Sequence, residues 1–286
     1  MTRADAARLV ALAAIWGASF IFIRVTAPVL GPVWMAEGRV LIGGLALAAW
    51  FAFTGFNPEW RRHLKFYALI GIINSAVPFS LYGFAGMHLS ASVMSILNAT
   101  SPMFGLLLGA AFAGERIAAR KLAGVLVGIA GVALVARPAS FDGGFEPMAA
   151  WAVAACLGAA FSYGVTGVVI KLHGAGVPSR GIAVGAQLCG ALALAPLLPL
   201  FPPAQMPSAA ILANLLALGV LASGIAFILY FRLMADIGAT RALTVTYLIP
   251  LFGLLWGVLF LGETLTAPVI AGGILILAGT VLVTRG

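Results

Sequence analysis

Charge is what this chain has least of. Only 8% of its 286 residues are Asp, Glu, Lys or Arg, against 63% hydrophobic. A soluble domain carries about a quarter charged residues, so most side chains here must face lipid or one another. Acids are the scarcer sign, 8 against 16 Lys and Arg, giving a net charge of +8. The basic residues sit in short clusters between apolar runs, the pattern of topology determinants and not of a nucleic-acid face. Cysteine is nearly absent. Cys156 and Cys189 lie in apolar runs with no His or Cys at ligand spacing, so they read as small buried side chains and not as a metal site. His63, His88 and His173 fall at span edges as loop residues. No imidazole stands mid-span to serve as a base for Ser19, which argues against an intramembrane serine enzyme. No catalytic residue, metal or cofactor is expected.

What the chain has is apolar length. A membrane helix needs about 20 mostly apolar residues, so there is room for about ten. Breaks at charges, Pro and Gly clusters give spans near 6–27, 31–54, 65–86, 91–113, 119–137, 148–170, 179–200, 209–232, 239–261 and 267–284. The first has Arg3 and Arg8 ahead of an apolar run, Leu9 to Ile23, but no small-x-small cleavage site, so it reads as a membrane helix. Basic residues then orient the chain. With the N-terminus in the cytoplasm, 13 of 16 Lys and Arg fall inside, from Arg3 and Arg8 to Arg285. Arg24 and Arg137 fall outside, and Arg39 falls within span two. Both termini are therefore expected in the cytoplasm.

The chain is also written twice. Pro102, Phe104, Gly105, Gly109, Phe112, Gly114 and Glu115 return as Pro250, Phe252, Gly253, Gly257, Phe260, Gly262 and Glu263, a shift of 148 (250 − 102). Ser75, Phe79, Leu81 and Tyr82 return as Ser223, Phe227, Leu229 and Tyr230 at the same shift, and Gly17 returns as Gly164 at 147. Two halves follow, 1–137 and 148–285, each with five spans. Five is odd, so the second half enters the membrane from the opposite side. The expected fold is an all-α integral membrane protein of ten transmembrane helices in two inverted five-helix repeats. That arrangement is the signature of alternating-access transporters, with substrate held near the midplane between the halves.

Polar groups inside the apolar runs mark where that site is expected. Pro102 has no N–H and clashes with the Asn98 carbonyl four residues back; Pro250 does the same to Thr246. In a bilayer the freed carbonyls need side chains or a water-filled cavity. Asn98 and Ser101 stand before the first kink, Thr244 and Tyr247 before the second. In span three, Asn74, Pro78 and Tyr82 share one face, with Pro78 freeing the Asn74 carbonyl. Spans one and six offer Trp16 with Ser19, and Tyr163 with Thr166. The expected substrate-binding set is Trp16, Ser19, Asn74, Tyr82, Asn98, Tyr163, Tyr230, Thr244 and Tyr247. Pro78, Pro102 and Pro250 are the expected kinks or hinges. Spans five and ten carry glycine faces suited to close packing. Glu115 and Glu263 read as structural, each closing a helix ahead of the first turn of the next. Glu37 and Arg39 are intramembrane ions on roughly opposite faces, and no role follows for either.

The doubled Pro…Gly-Glu segment, the ten spans and the repeat resemble the drug/metabolite transporter superfamily, in its ten-span branch of EamA-type exporters. Trp16-Gly17-Ala18-Ser19-Phe20 and the aromatic interior are similar to the YddG-type exporters of aromatic amino acids. The resemblance implies efflux of amino acids or related small metabolites through a bacterial inner membrane, with efflux of drugs, cations or other metabolites as the alternative. The four-span multidrug relatives carry a proton-exchanging glutamate in span one; here span one has no acid from Leu9 to Ile23. The partners implied are a small-molecule substrate and the lipid bilayer, with no nucleic acid and with oligomeric state left open.

Overall fold

A computed structural model describes residues 2–141, 147–203 and 205–284, and no strand occurs among them. Arg285 and residues 142–146 of the break between the halves lie outside. Eight runs among the described residues are long and apolar enough to cross a membrane, and Val245–Leu261 is a shorter apolar helix. The first run, Arg3–Phe53, has 51 residues, about 76 Å at 1.5 Å per residue. That is more than twice a hydrocarbon core of about 30 Å. It breaks at Gly31, whose φ of 76° and ψ of 166° suit glycine and no ordinary side chain. Pro32 follows, its ring pre-set for a first helical turn and its missing N–H harmless there. The run is therefore two helices, α1 (3–30) and α2 (32–53). The others are α3 (Trp60–His88), α4 (Ala91–Phe112), α5 (Ala119–Phe141), α6 (Pro147–His173), α7 (Ser179–Leu200), α8 (Ala209–Ile237), α9 (Val245–Leu261) and α10 (Ala267–Thr284).

Glycine decides which helices touch. In lipid there is no hydrophobic drive between helices, so close backbone approach supplies the attraction. A Cβ built on Gly17 of α1 would lie 2.6 Å from Phe252 and 2.9 Å from the Gly253 nitrogen in α9. One on Gly164 of α6 would lie 2.9 Å from the Gly105 nitrogen in α4 and against Phe104. These two contacts are images of one another at the shift of 147 to 148. The same holds for α2 on α8, where Gly43 meets Ser223, and for α7 on α3, where Gly190 meets Ser75. Helices of one half thus pack on helices of the other. The Gly faces of α5 and α10 close on each other, with a Cβ at Gly131 only 2.7 Å from the Gly272 carbonyl and 2.8 Å from the Ile276 nitrogen.

One histidine departs from expectation. His63 is buried on the first turn of α3 beside Tyr67, with ring centroids 5.9 Å apart, and is not a solvated loop residue. The amphipathic start of α3 extends the helix five residues ahead of the apolar run.

Glycine packing makes a sharp prediction. Gly131→Val must displace backbone and should lower unfolding free energy by about 1–3 kcal/mol. Gly105→Ala, which meets no atom within 4 Å, should leave it unchanged or slightly raised. Thermal and denaturant unfolding in detergent would measure both, and equal effects would remove the packing account.

Candidate functional site

The interior is shaped by two helix defects at matching places. In α3 the turn Ile72–Ala76 widens to a π-helix, in which the Val77 N–H bonds the Ile72 carbonyl. One residue on stands Pro78, which has no N–H. In this wider register the carbonyl it deprives is that of Ile73 and not, as the α-helical count implied, that of Asn74. Ser162 of α6 donates its hydroxyl to the Ile73 carbonyl. In α8 the turn Leu218–Ile225 widens in the same way, with Ala226 where α3 has Pro78, so proline is not the cause. There the indole N–H of Trp16 in α1 reaches the Ala222 carbonyl at 3.1 Å. Each defect is closed by a helix at the start of the other half.

Pro102 and Pro250, two of the three expected kink prolines, both follow tightened turns. Ahead of Pro102, Ala99 N–H bonds Ile96 O and Thr100 N–H bonds Leu97 O, splitting α4 into Ala91–Asn98 and Ser101–Phe112. The Asn98 carbonyl takes the Ser101 hydroxyl at 2.7 Å. Ahead of Pro250, Thr246 N–H bonds Leu243 O and Tyr247 N–H bonds Thr244 O, but Pro250 itself lies within the unbroken α9.

Between the halves lies a cavity of about 790 Å³. Trp16, Ser19, Asn74, Tyr82, Asn98, Tyr163, Tyr230, Thr244 and Tyr247 all line it, and so does Pro102; Pro78 and Pro250 do not. Six of its rings form two groups. Trp16 stands 5.4 Å from Tyr230 and 6.0 Å from Phe227, centroid to centroid. Tyr82 stands 5.6 Å from Phe20 and 6.4 Å, stacked, from Tyr163. The Tyr82 hydroxyl donates to Asn98 Oδ1 at 2.8 Å, holding the amide in place. Ser19 gives its hydroxyl to the Trp16 carbonyl, so it offers a ligand only an acceptor. Tyr247 and Thr284 share a hydroxyl hydrogen bond near the mouth.

The two ends of the cavity differ although their sequences match. At one end, Glu263 accepts from the backbone N–H groups of Ala91 and Ser92 at 2.6 and 3.0 Å and from the Ser92 hydroxyl. The carboxylate caps the positive end of α4, across from its own half and not on the following α10 as expected. Gly253 and Gly257 of α9 press against Ser95 and Ser92, where no Cβ would fit. Arg24 adds bonds to the Gly86 and Met87 carbonyls at 2.8 and 3.1 Å. At the other end, the equivalent Glu115 pairs with Lys171, Gly105 faces open space, and Glu115, Lys121 and Lys171 border the cavity mouth. Ser95 is fully buried at 0% exposure while its counterpart Leu243 is 52% exposed. Both glutamates follow a left-handed glycine that ends its helix, Gly114 at φ 68° and Gly262 at φ 64°. The Gly-Glu pair therefore carries a helix stop and an end clasp together.

Sequence reasoning gave Arg39 no role. Its guanidinium lines the cavity, lies 3.8 Å above the centre of the Phe79 ring, and donates from Nε to Ser223 Oγ at 3.1 Å. The available signal was its depth in α2. Glu37, also buried, points elsewhere and has one carboxylate oxygen without a hydrogen-bond partner.

A bundle of long apolar helices in two matching halves, enclosing a polar-aromatic cavity open at one end, defines a multi-pass membrane transporter. The chain belongs to the EamA-like transporter family, whose model matches residues 6–137 and again residues 150–285. It is 31% identical over 274 residues to a probable terminal-alkyne amino-acid exporter of Streptantibioticus cattleyicolor, covering 94% of this chain and 90% of that one. It is 28% identical over 296 residues to the uncharacterized inner membrane transporter YedA of Escherichia coli K12, covering 97% and 90%. A solved crystal structure aligns with a TM-score of 0.67 at 22% identity, over 100% of this chain and 98% of its own, which shows the fold.

The two clasps predict unequal mutants. Glu263→Gln removes a carboxylate bonded to two N–H groups and a hydroxyl, and should cost about 1.5–3 kcal/mol of stability. Glu115→Gln removes one half-exposed pair and should cost under about 1 kcal/mol. Unfolding in detergent compares them, and the reverse order would contradict the capping role.

Proposed function

We propose that the protein exports amino acids, aromatic ones among them, from the cytoplasm by alternating access, as a multi-pass carrier of a bacterial inner membrane. The observation that carries this is the opposite state of equivalent residues. Glu263 and Ser95 are engaged in a closed end, while Glu115 and Leu243 are free of the matching contacts in an open one. In an inverted repeat, exchanging the conformations of the halves 1–137 and 148–285 closes the open end and opens the closed one. By the distribution of basic residues, the mouth with Lys121 and Lys171 faces the cytoplasm, so substrate enters there.

The amino-acid class draws on three supports. A relative 31% identical carries the description of an amino-acid exporter. A cavity of about 790 Å³ is within the usual size for a small-molecule site. Its lining combines aromatic rings with an amide and hydroxyls, which suits a zwitterion with an apolar side chain. The substrate-binding set is the nine residues named from the sequence. Pro78, Pro102 and Pro250 shape the helices around them. The reading needs no catalytic residue and no cofactor.

Counterflow in liposomes across amino acids, quaternary cations and sugars tests the substrate class. Labelled phenylalanine should exchange, and Tyr82→Ala should slow it about tenfold or more. Flux of cations with no amino acid moved would replace this reading by drug efflux. Thiol labelling tests the two gates in a background where Cys156 and Cys189 are Ala. Leu243→Cys should react fast and Ser95→Cys slowly. Adding Glu263→Gln should move the two rates in opposite directions, about tenfold for a latch of about 1.4 kcal/mol. Rates that rise or fall together would rule out reciprocal gating.

A further inference from the structure

We infer that Arg39 is the substrate-recognition cation of the central cavity, and that it selects ligands carrying a single carboxylate over amines and other cations. The inference deepens the export reading and rests on it for the role of the cavity.

Four observations carry it. Arg39 is only 6% exposed, in the second helix of a membrane bundle, where a fixed charge is costly and is retained mainly where it acts. A guanidinium does not escape that cost by losing its proton. None of the ion pairs among the described residues includes Arg39. Glu37, two positions away, points to the opposite side of α2 and gives it no counter-ion. Its partners are neutral: the Phe79 ring at 3.8 Å and Ser223 Oγ at 3.1 Å. Finally, the residue borders the cavity, and its terminal nitrogens make no protein hydrogen bond yet are not sealed off.

The geometry fits one kind of ligand. Nε is held by Ser223 and the guanidinium plane is held over Phe79, so the fork is fixed from one edge and one face. What remains is the terminal pair of nitrogens, whose spacing matches the two oxygens of a carboxylate. One guanidinium balances one negative charge. A phosphate dianion would need a second cation beside it, and the two lysines of the lining, Lys121 and Lys171, are at the mouth, where Lys171 is paired with Glu115. A cation in the same cavity would meet an uncompensated positive charge in a medium of low dielectric. The site therefore takes monocarboxylates and repels organic cations, leaving the Trp16 and Tyr82 ring groups for an apolar side chain. Ser223 lies in the π-turn of α8 and Arg39 in α2, so the selecting group is aimed across the boundary between the halves.

Three probes of one shape separate the charges: phenylalanine, phenylpropionate (carboxylate only) and phenethylamine (amine only). Calorimetric titration of the purified protein should give binding of the first two and at least tenfold weaker binding of the amine. Arg39→Gln should abolish phenylpropionate binding, Arg39→Lys should restore part of it, and Ser223→Ala should weaken it while unfolding stays cooperative. If phenethylamine binds the wild-type protein as tightly as phenylpropionate, or no carboxylate binds, the inference is overturned. That comparison needs no variant and holds even if Arg39→Gln fails to fold. Undiminished binding of phenylpropionate by folded Arg39→Gln also overturns it. Counterflow separates this from the export reading. Arg39-dependent carboxylate binding without phenylalanine exchange sinks amino-acid export and leaves the site. Equal phenylalanine exchange by wild type and Arg39→Gln does the reverse.

Discussion

In hydrocarbon, every backbone N–H and carbonyl must find a partner inside the protein, because there is no water to supply one. The interior of this transporter is organised by how it meets that demand at a few irregular turns. The π-turns of α3 and α8 leave carbonyls that helix-internal bonding cannot reach, and Ser162 and Trp16 come from the opposite halves to meet them. Pro102 strips the Asn98 carbonyl of its partner, and Ser101 replaces it. Trp16 and Ser101, recruited for this purpose, also line the cavity. The same residues are thus structural by origin and available to a ligand by position.

Much of this could be read before the structure. The repeat at 148 positions, the spans and the glycine faces of α5 and α10 are all written in residue type and spacing. So is the cavity lining, because an amide or a tyrosine deep in an apolar span has few other reasons to be there. The π-turns could not be read: a widened turn needs no special residue, and the α8 copy has Ala226 where α3 has Pro78. Counting back four residues from Pro78 therefore named the wrong carbonyl. Glu263 was misplaced for a different reason. Its partners at Ala91 and Ser92 are about 170 positions away, and nothing local distinguishes capping a distant helix from capping the next one. Arg39 was visible as a buried ion, but its direction depends on the packing of α2 on α8.

That packing comes from small residues. Gly43 lets Ser223 approach α2 closely enough to hold Arg39, just as Gly190 admits Ser75 in the other pair. A glycine such as Gly43 thus positions a polar group behind the cavity wall as well as setting the helix separation.

The pairing of Glu115 with Lys171 at the open end carries a consequence for the energetics of switching. Lys171 is the counterpart of Arg24, which at the closed end holds the carbonyls at the end of α3. On the two-gate proposal, an unlatched glutamate is handed to a nearby cation and is not left bare beside lipid. Opening one end then trades one favourable arrangement for another, which narrows the free-energy gap between the two end states. A narrow gap of that kind lets the differential affinity of a bound ligand shift the balance between them.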